Sequence, residues 1–242
     1  MTPEETVAAV DPSLSFVGAM HYFDAGVVAK SKEAGLDGFR MYFLGRGGVL
    51  GDVEAAVVWS AFGYFNPTLV KKMWDSASER MSPRDASRNY LDWAEDLGRE
   101  KFAGAEGLAA FNDAAAALFA SVNPAALALF AGYSAEEPPT DELGAAAFNA
   151  IVLRELRGSV HLAAIVAHGL DPVVAHAIRR PNDGKMFGWD ELPEPTDEDR
   201  ALLVKVDETT DARMAQHYAG LTEDQRQALA DGTAALVAAV SA

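Results

Sequence analysis

The step Gly-Leu-Asp occurs twice in this 242-residue chain, each time where a helix-like segment ends. Ala34-Gly35-Leu36-Asp37-Gly38 is the first copy and His168-Gly169-Leu170-Asp171-Pro172 the second. Both lead into an apolar stretch and then into an aromatic-glycine hairpin candidate. Two copies of one order of elements point to a duplicated module. The length permits one large domain, or two small ones that share a core.

Capping signals mark most of the helices. Ser82-Pro83-Arg84-Asp85 opens a helix toward Arg99, and Asn123-Pro124 opens a short Ala/Leu helix ending near Gly132. Thr140-Asp141-Glu142 opens a long helix to about Ala167, with a bend expected at Gly158. Thr196-Asp197-Glu198-Asp199 and Thr222-Glu223-Asp224-Gln225 are capping boxes for the last two helices. Strand signals are few. Ala55 to Phe62 is apolar and partly β-branched and meets Gly63-Tyr64-Phe65-Asn66-Pro67, so it reads either as a wing strand pair or as a buried helix. Pro181-Asn182-Asp183-Gly184-Lys185 followed by Met186-Phe187-Gly188-Trp189 reads as a second, shorter wing. Helix, glycine turn, helix and short wing is the build of a winged helix-turn-helix. The expected fold is therefore mainly α: two tandem winged-helix-like modules packed together, with short β-wings and additional C-terminal helices. The linker Glu136-Glu137-Pro138-Pro139 divides it into residues 1–135 and 140–242.

Charge restricts the partner. The net charge is −16, from 36 acids against 20 bases. DNA affinity rests on Lys and Arg that displace counterions from phosphates. Asp190 to Ala242 carries 12 acids and 4 bases, part of that excess being helix-capping chemistry. Tyr22 to Phe102 is near neutral, with 12 acids and 11 bases, so a local basic face is confined to the first half. Cysteine is absent, which removes disulfides, thiolate metal sites and thiol nucleophiles. No apolar run approaches membrane-spanning length and Met1 to Glu5 is unlike a signal peptide, so a cytoplasmic protein with no membrane partner is expected.

The run Leu153-Arg154-Glu155-Leu156-Arg157-Gly158-Ser159-Val160-His161, followed by Gly169-Leu170-Asp171-Pro172, carries a resemblance. So do His21-Tyr22-Phe23, Gly35-Leu36-Asp37-Gly38-Phe39 and Phe65-Asn66-Pro67 with Leu69-Val70. With these motifs the chain is similar to an actinobacterial helix-turn-helix family whose members are sometimes labelled MarR-like. The resemblance implies tandem winged-helix modules across most of the chain and leaves function open.

Arg154, Arg157 and His161 stand at i, i+3 and i+7, on one face of a helix. They suit either a clamp for a carboxylate or phosphate, or pairing with this chain's many acids. His21 is the second candidate. Packed against the second half, it would share an apolar cavity with His161, Tyr42, Trp59, Tyr64 and Asn66; alone, it is a helix histidine beside core aromatics. His168 and His176 read as cap and surface residues, and His217 as a helix-end residue. No catalytic or phosphate-loop motif is present. Gly45 to Asp52 lacks the Lys-Ser/Thr of a phosphate loop and reads as a connection from helix to wing. No metal site and no particular cofactor is indicated.

Three functions follow. The first is a sensor or sequestering protein whose pocket, between the modules, takes a small molecule, anions included. The second is a transcriptional regulator that enters DNA with the first turn, using Arg40, Arg46, Lys71 and Lys72. The net charge disfavours it. The third is an enzyme with His21 or His161 as acid or base. A homodimer is compatible with each.

Overall fold

A computed structural model describes residues 1–241 and holds twelve α-helices and two short 3-10 turns. In chain order the helices are α1 (Pro3–Val17), α2 (Ala25–Glu33), α3 (Gly38–Gly47), α4 (Ala55–Phe62), α5 (Pro67–Ser78) and α6 (Pro83–Lys101). There follow α7 (Leu108–Ser121), α8 (Ala128–Tyr133), α9 (Glu142–Ala167), α10 (Pro172–Arg179), α11 (Asp197–Tyr218) and α12 (Glu223–Ser241). Local chemistry explains most of the starts. Ser82 Oγ accepts from the Asp85 N–H ahead of Pro83, and Thr196 with Asp199 forms a reciprocal capping box. Thr222 and Gln225 make the same exchange at α12.

The central element is α9. From Gly144 to Leu153 every residue is buried, and all but Asn149, which bonds to Asn112, are apolar, so this part of the helix needs neighbours on all sides. It packs against α1, α6, α7, α8, α10 and α11. The main apolar core runs from Val7 to Leu236 and is continuous across residues 136–139. A satellite core of Ala164, Ile165, Leu170, Ala175, Leu203 and Val206 lies beneath the second glycine turn. α9 is helical straight through Gly158.

Both Gly-Leu-Asp turns have the same backbone. Gly35 (φ +88°) and Gly169 (φ +72°) end their helices in the left-handed region, where a Cβ would strain the chain. The Leu36 and Leu170 N–H groups reach back to the carbonyls of Ser31 and Ile165, while Gly35 and Gly169 bond to Lys32 and Val166. Both leucines are buried, and Asp37 and Asp171 cap the next helix. α2-turn-α3 and α9-turn-α10 thus share one turn geometry between two helices.

Their second helices have different surroundings. In α3 every residue from Met41 to Gly47 is buried, and the helix lies against α5 and α6. Its glycines allow the approach: a Cβ on Gly45 would meet the Tyr90 ring at 2.7 Å, and one on Gly48, just beyond α3, the Pro83 carbonyl oxygen at 2.0 Å. α10 is short, and Arg179 and Arg180 at its end are exposed.

No strand occurs among the described residues, so neither expected wing is a strand pair. Ala55 to Phe62 is α4. Its buried residues Ala55, Val58 and Phe62 recur at i, i+3 and i+7, the helical period, while Val57 and Trp59 face outward. Gly184 to Phe187 is a 3-10 turn. The two aromatic-glycine segments instead meet each other. The Asn66 N–H donates to the Phe187 carbonyl (2.9 Å), the Trp189 ring N–H donates to the Tyr64 carbonyl (2.9 Å), and Phe65 stacks on Phe187 at 4.2 Å. The Asn123-Pro124 helix begins later than its cap signal. Asn123 closes a tight turn on Ala125, Ala126 takes φ +66°, and α8 starts at Ala128.

Candidate functional site

Helices α3 and α9 meet around one buried carboxylate. Glu155 is fully buried and forms a two-pronged pair with Arg46, Nε to Oε1 and Nη2 to Oε2, both 2.9 Å. Tyr22 Oη donates to the same Oε1 (3.0 Å), and Arg154 Nη1 makes a third contact there (2.6 Å). Arg46 also donates to Tyr42 Oη (3.1 Å) and lies over the Phe62 ring at 4.4 Å; Arg154 lies over Tyr22 at 4.8 Å. Burial raises the affinity of the Glu155 carboxyl for its proton. The Arg46 and Arg154 charges, with the hydrogen bonds, outweigh that and hold it at about 2. Burial pushes His21 down to about 3, helped by Arg154, so the ring is neutral.

Above this cluster lies a cleft of about 760 Å³. Its cationic side is Arg46 from α3, Arg154 and Arg157 from α9, and Arg179 and Arg180 at the end of α10; Asp24 is the one carboxylate that lines it. Its apolar side is aromatic and includes Tyr42, Phe62, Tyr64, Phe65 and Phe187. Arg157 donates to Asp11 (3.2 Å) and lies 3.5 Å from Asp211. Asp11 also accepts from Tyr218 Oη (2.7 Å), yet burial still raises it to about 6 against these two partners. His161 Nδ1 is 3.1 Å from Thr210 Oγ1, and burial followed by the Arg157 charge lowers its pKa. Burial lowers His176 as well, and its Nε2 is buried without a partner. Burial pushes Tyr64 up to about 12.

The residues expected from the sequence separate into two groups. Tyr42, Tyr64, Arg154, Arg157 and His161 line the cleft together. His21, Trp59 and Asn66 do not. His21 is buried edge-on between Tyr22 (4.7 Å) and Tyr90 (4.8 Å). Trp59 donates its ring N–H to the Phe65 carbonyl, and Asn66 caps α5. Of the residues proposed for DNA, Arg46 is buried on Glu155, and Arg40 is held by Asp37 and Ser76. Lys71 pairs with Asp75, and Lys72 is exposed beside it. Sequence reasoning missed Glu155, Tyr22, Arg179 and Arg180, and placed His176 on the surface, where it is in fact buried on Phe187 (4.1 Å). The Arg179-Arg180 pair after a capped helix was the available signal. Among the described residues no group of His, Asp and Glu is arranged to hold a metal ion. None of the helices there is long and apolar enough to cross a membrane.

The chain belongs to a helix-turn-helix family, whose model matches residues 7–190. That stretch takes in both glycine turns, the Arg46–Glu155–Arg154 cluster and all the residues that line the cleft. It leaves out α12 and also α11, which supplies Thr210, Asp211 and Tyr218. No curated protein and no solved structure matches the chain.

Proposed function

We propose that this helix-turn-helix protein binds a small anionic molecule in the cleft between α3 and the α9-turn-α10 unit, as a sensor or a sequestering protein. The observation that carries the reading is the lining: five arginines and an aromatic wall, with one carboxylate, in a chain of net charge −16. A concave, mostly apolar space with a few convergent polar groups is the usual form of a small-molecule site. The duplicated units then divide their tasks: α3 is the buried support, and α10 borders the open space. Native mass spectrometry of the protein purified from its own host tests this. A co-purifying anion of a few hundred daltons, lost in the Arg154→Met variant, is the expected result; a bare protein mass in both contradicts it.

Family membership favours DNA as a second reading, since helix-turn-helix units commonly enter the major groove by their second helix. Burial of α3 and the acidic surface oppose it here. Gel shift with random duplex DNA at about 50 mM salt, where phosphate contacts are strongest, separates the readings. No retarded band is expected; a band abolished by Lys71→Ala with Lys72→Ala supports the DNA reading.

A further inference from the structure

Charge in the cleft does not balance at one position. Arg46 holds both oxygens of Glu155. Arg157 has Asp11 and Asp211, Arg179 has Asp207, and Arg180 has Asp183. Arg154 has no carboxylate of its own. It shares Glu155 Oε1, which already accepts from Tyr22 and from Arg46, and this is its one hydrogen bond among the described residues. Its Nε is buried with no partner. Two guanidiniums against one carboxylate leave a positive charge over the Tyr22 ring, on a side chain that is 24% exposed and borders the cleft, with its Nε the unmet donor.

Resting on the reading of the cleft as a ligand site, we infer that the ligand is an aromatic monocarboxylate whose acid group binds Arg154 and whose ring lies against the aromatic wall. The planar guanidinium fork matches a carboxylate in shape, and Arg154 is the one arginine of the five whose carboxylate is held at both oxygens by another. A phosphate monoester brings about 1.5 to 2 negative charges, and its second charge finds every other arginine in the cleft already paired. Eight phenylalanine and tyrosine rings line the cleft, beside the aliphatic Met20, Leu129, Leu162 and Met186, and they pack on one another: Phe65 stacks on Phe187, and Phe62 on Phe43 behind it. A flat aromatic body fits such a wall by stacked and edge-on contacts.

The test uses three probes with one ring system at pH 7.5, measured by titration calorimetry: 1-naphthoate, neutral 1-naphthalenemethanol and 1-naphthyl phosphate. For the unaltered protein, naphthoate binds at least about tenfold more tightly than the alcohol, as a charge-assisted hydrogen bond requires, and more tightly than the phosphate. Arg154→Met brings naphthoate and the alcohol within about threefold of each other, while its ligand-free melting temperature stays level or rises because Glu155 keeps its two-pronged pair with Arg46. Arg154→Lys keeps the charge but loses the fork and so keeps part of the preference, while Arg88→Met, on the exposed face of α6 outside the cleft, leaves the preference unchanged. Equal binding of the alcohol and naphthoate to the unaltered protein overturns the acid assignment and leaves the cleft reading standing. So does a preference that survives in Arg154→Met. Tighter binding of the phosphate overturns the monoanion. Binding of none of the three overturns both the inference and the reading beneath it.

Discussion

Replacing Glu155 by Gln removes the only negative charge between Arg46 and Arg154 and changes almost nothing in shape. Loss of one partner from a buried ion pair costs about 3 to 5 kcal/mol, because the remaining charge is left uncompensated. For a chain of this size that is a fall in melting temperature of about 6 to 20 °C. The pH dependence gives an independent magnitude. The Glu155 carboxyl is held at about 2 in the folded protein against an ordinary 4.5. A depressed acid contributes stability that is present above pH 4.5 and lost as the pH falls through 2. The difference corresponds to about 3 kcal/mol, of which about 2 has gone by pH 3. The gap between the unaltered protein and Glu155→Gln, measured by urea denaturation, should therefore narrow by about 2 kcal/mol between pH 7 and pH 3. Other groups that titrate in both proteins cancel in that difference. A gap under about 1 kcal/mol at pH 7, or one that does not change with pH, refutes the assignment of Glu155 as the charge holding α3 to α9.

Asp11→Asn has the opposite slope. Burial raises this carboxyl from 3.8 to about 6, so its favourable contribution is complete below pH 3.8 and lost as the pH rises through 6; between pH 3.5 and 7.5 the variant should gain about 3 kcal/mol relative to the unaltered protein in the same urea assay. Gly35→Ala and Gly169→Ala meet no neighbour within 4 Å, so each should cost only the left-handed backbone penalty, about 1 to 2 kcal/mol, and by similar amounts in thermal melts. Gly48→Ala places a Cβ 2.0 Å from the Pro83 carbonyl oxygen; the clash between the 3-10 turn after α3 and the start of α6 should cost about 1 to 3 kcal/mol or more and lower the melting temperature further than either turn variant.

What the sequence made legible was local. The caps of α6, α9, α11 and α12 and the shared face of Arg154, Arg157 and His161 depend on neighbours three to seven residues away. Long-range pairing was not legible. Arg46 read as a DNA contact because nothing near it in the chain announces Glu155, 109 positions further on. His21 and His161 were expected in one cavity, but Tyr22 stands between His21 and the cleft, and its neighbour in sequence took the place assigned to it. The wings failed for a related reason. Glycine beside aromatics signals a reversal of the chain, and the residues that satisfy each reversal come from the other segment, about 120 positions away.

That mutual support bears on how the chain can be altered. Tyr64 to Asn66 obtains its partners from Phe187 and Trp189, so a fragment ending near the Glu136–Pro139 linker would keep all of α1 to α8 and still lose the ring and carbonyl that close its first segment. Two such fragments expressed separately are expected to work only when they reassociate. The copy of the turn that ends in α10 is different: Arg179 and Arg180 at its end are exposed and border the cleft. The packing around α3 restricts substitution in the first copy more than in the second. Under the proposed ligand reading, a change of ligand preference would be sought at the exposed end of α10, on a frame that the buried α3 keeps fixed.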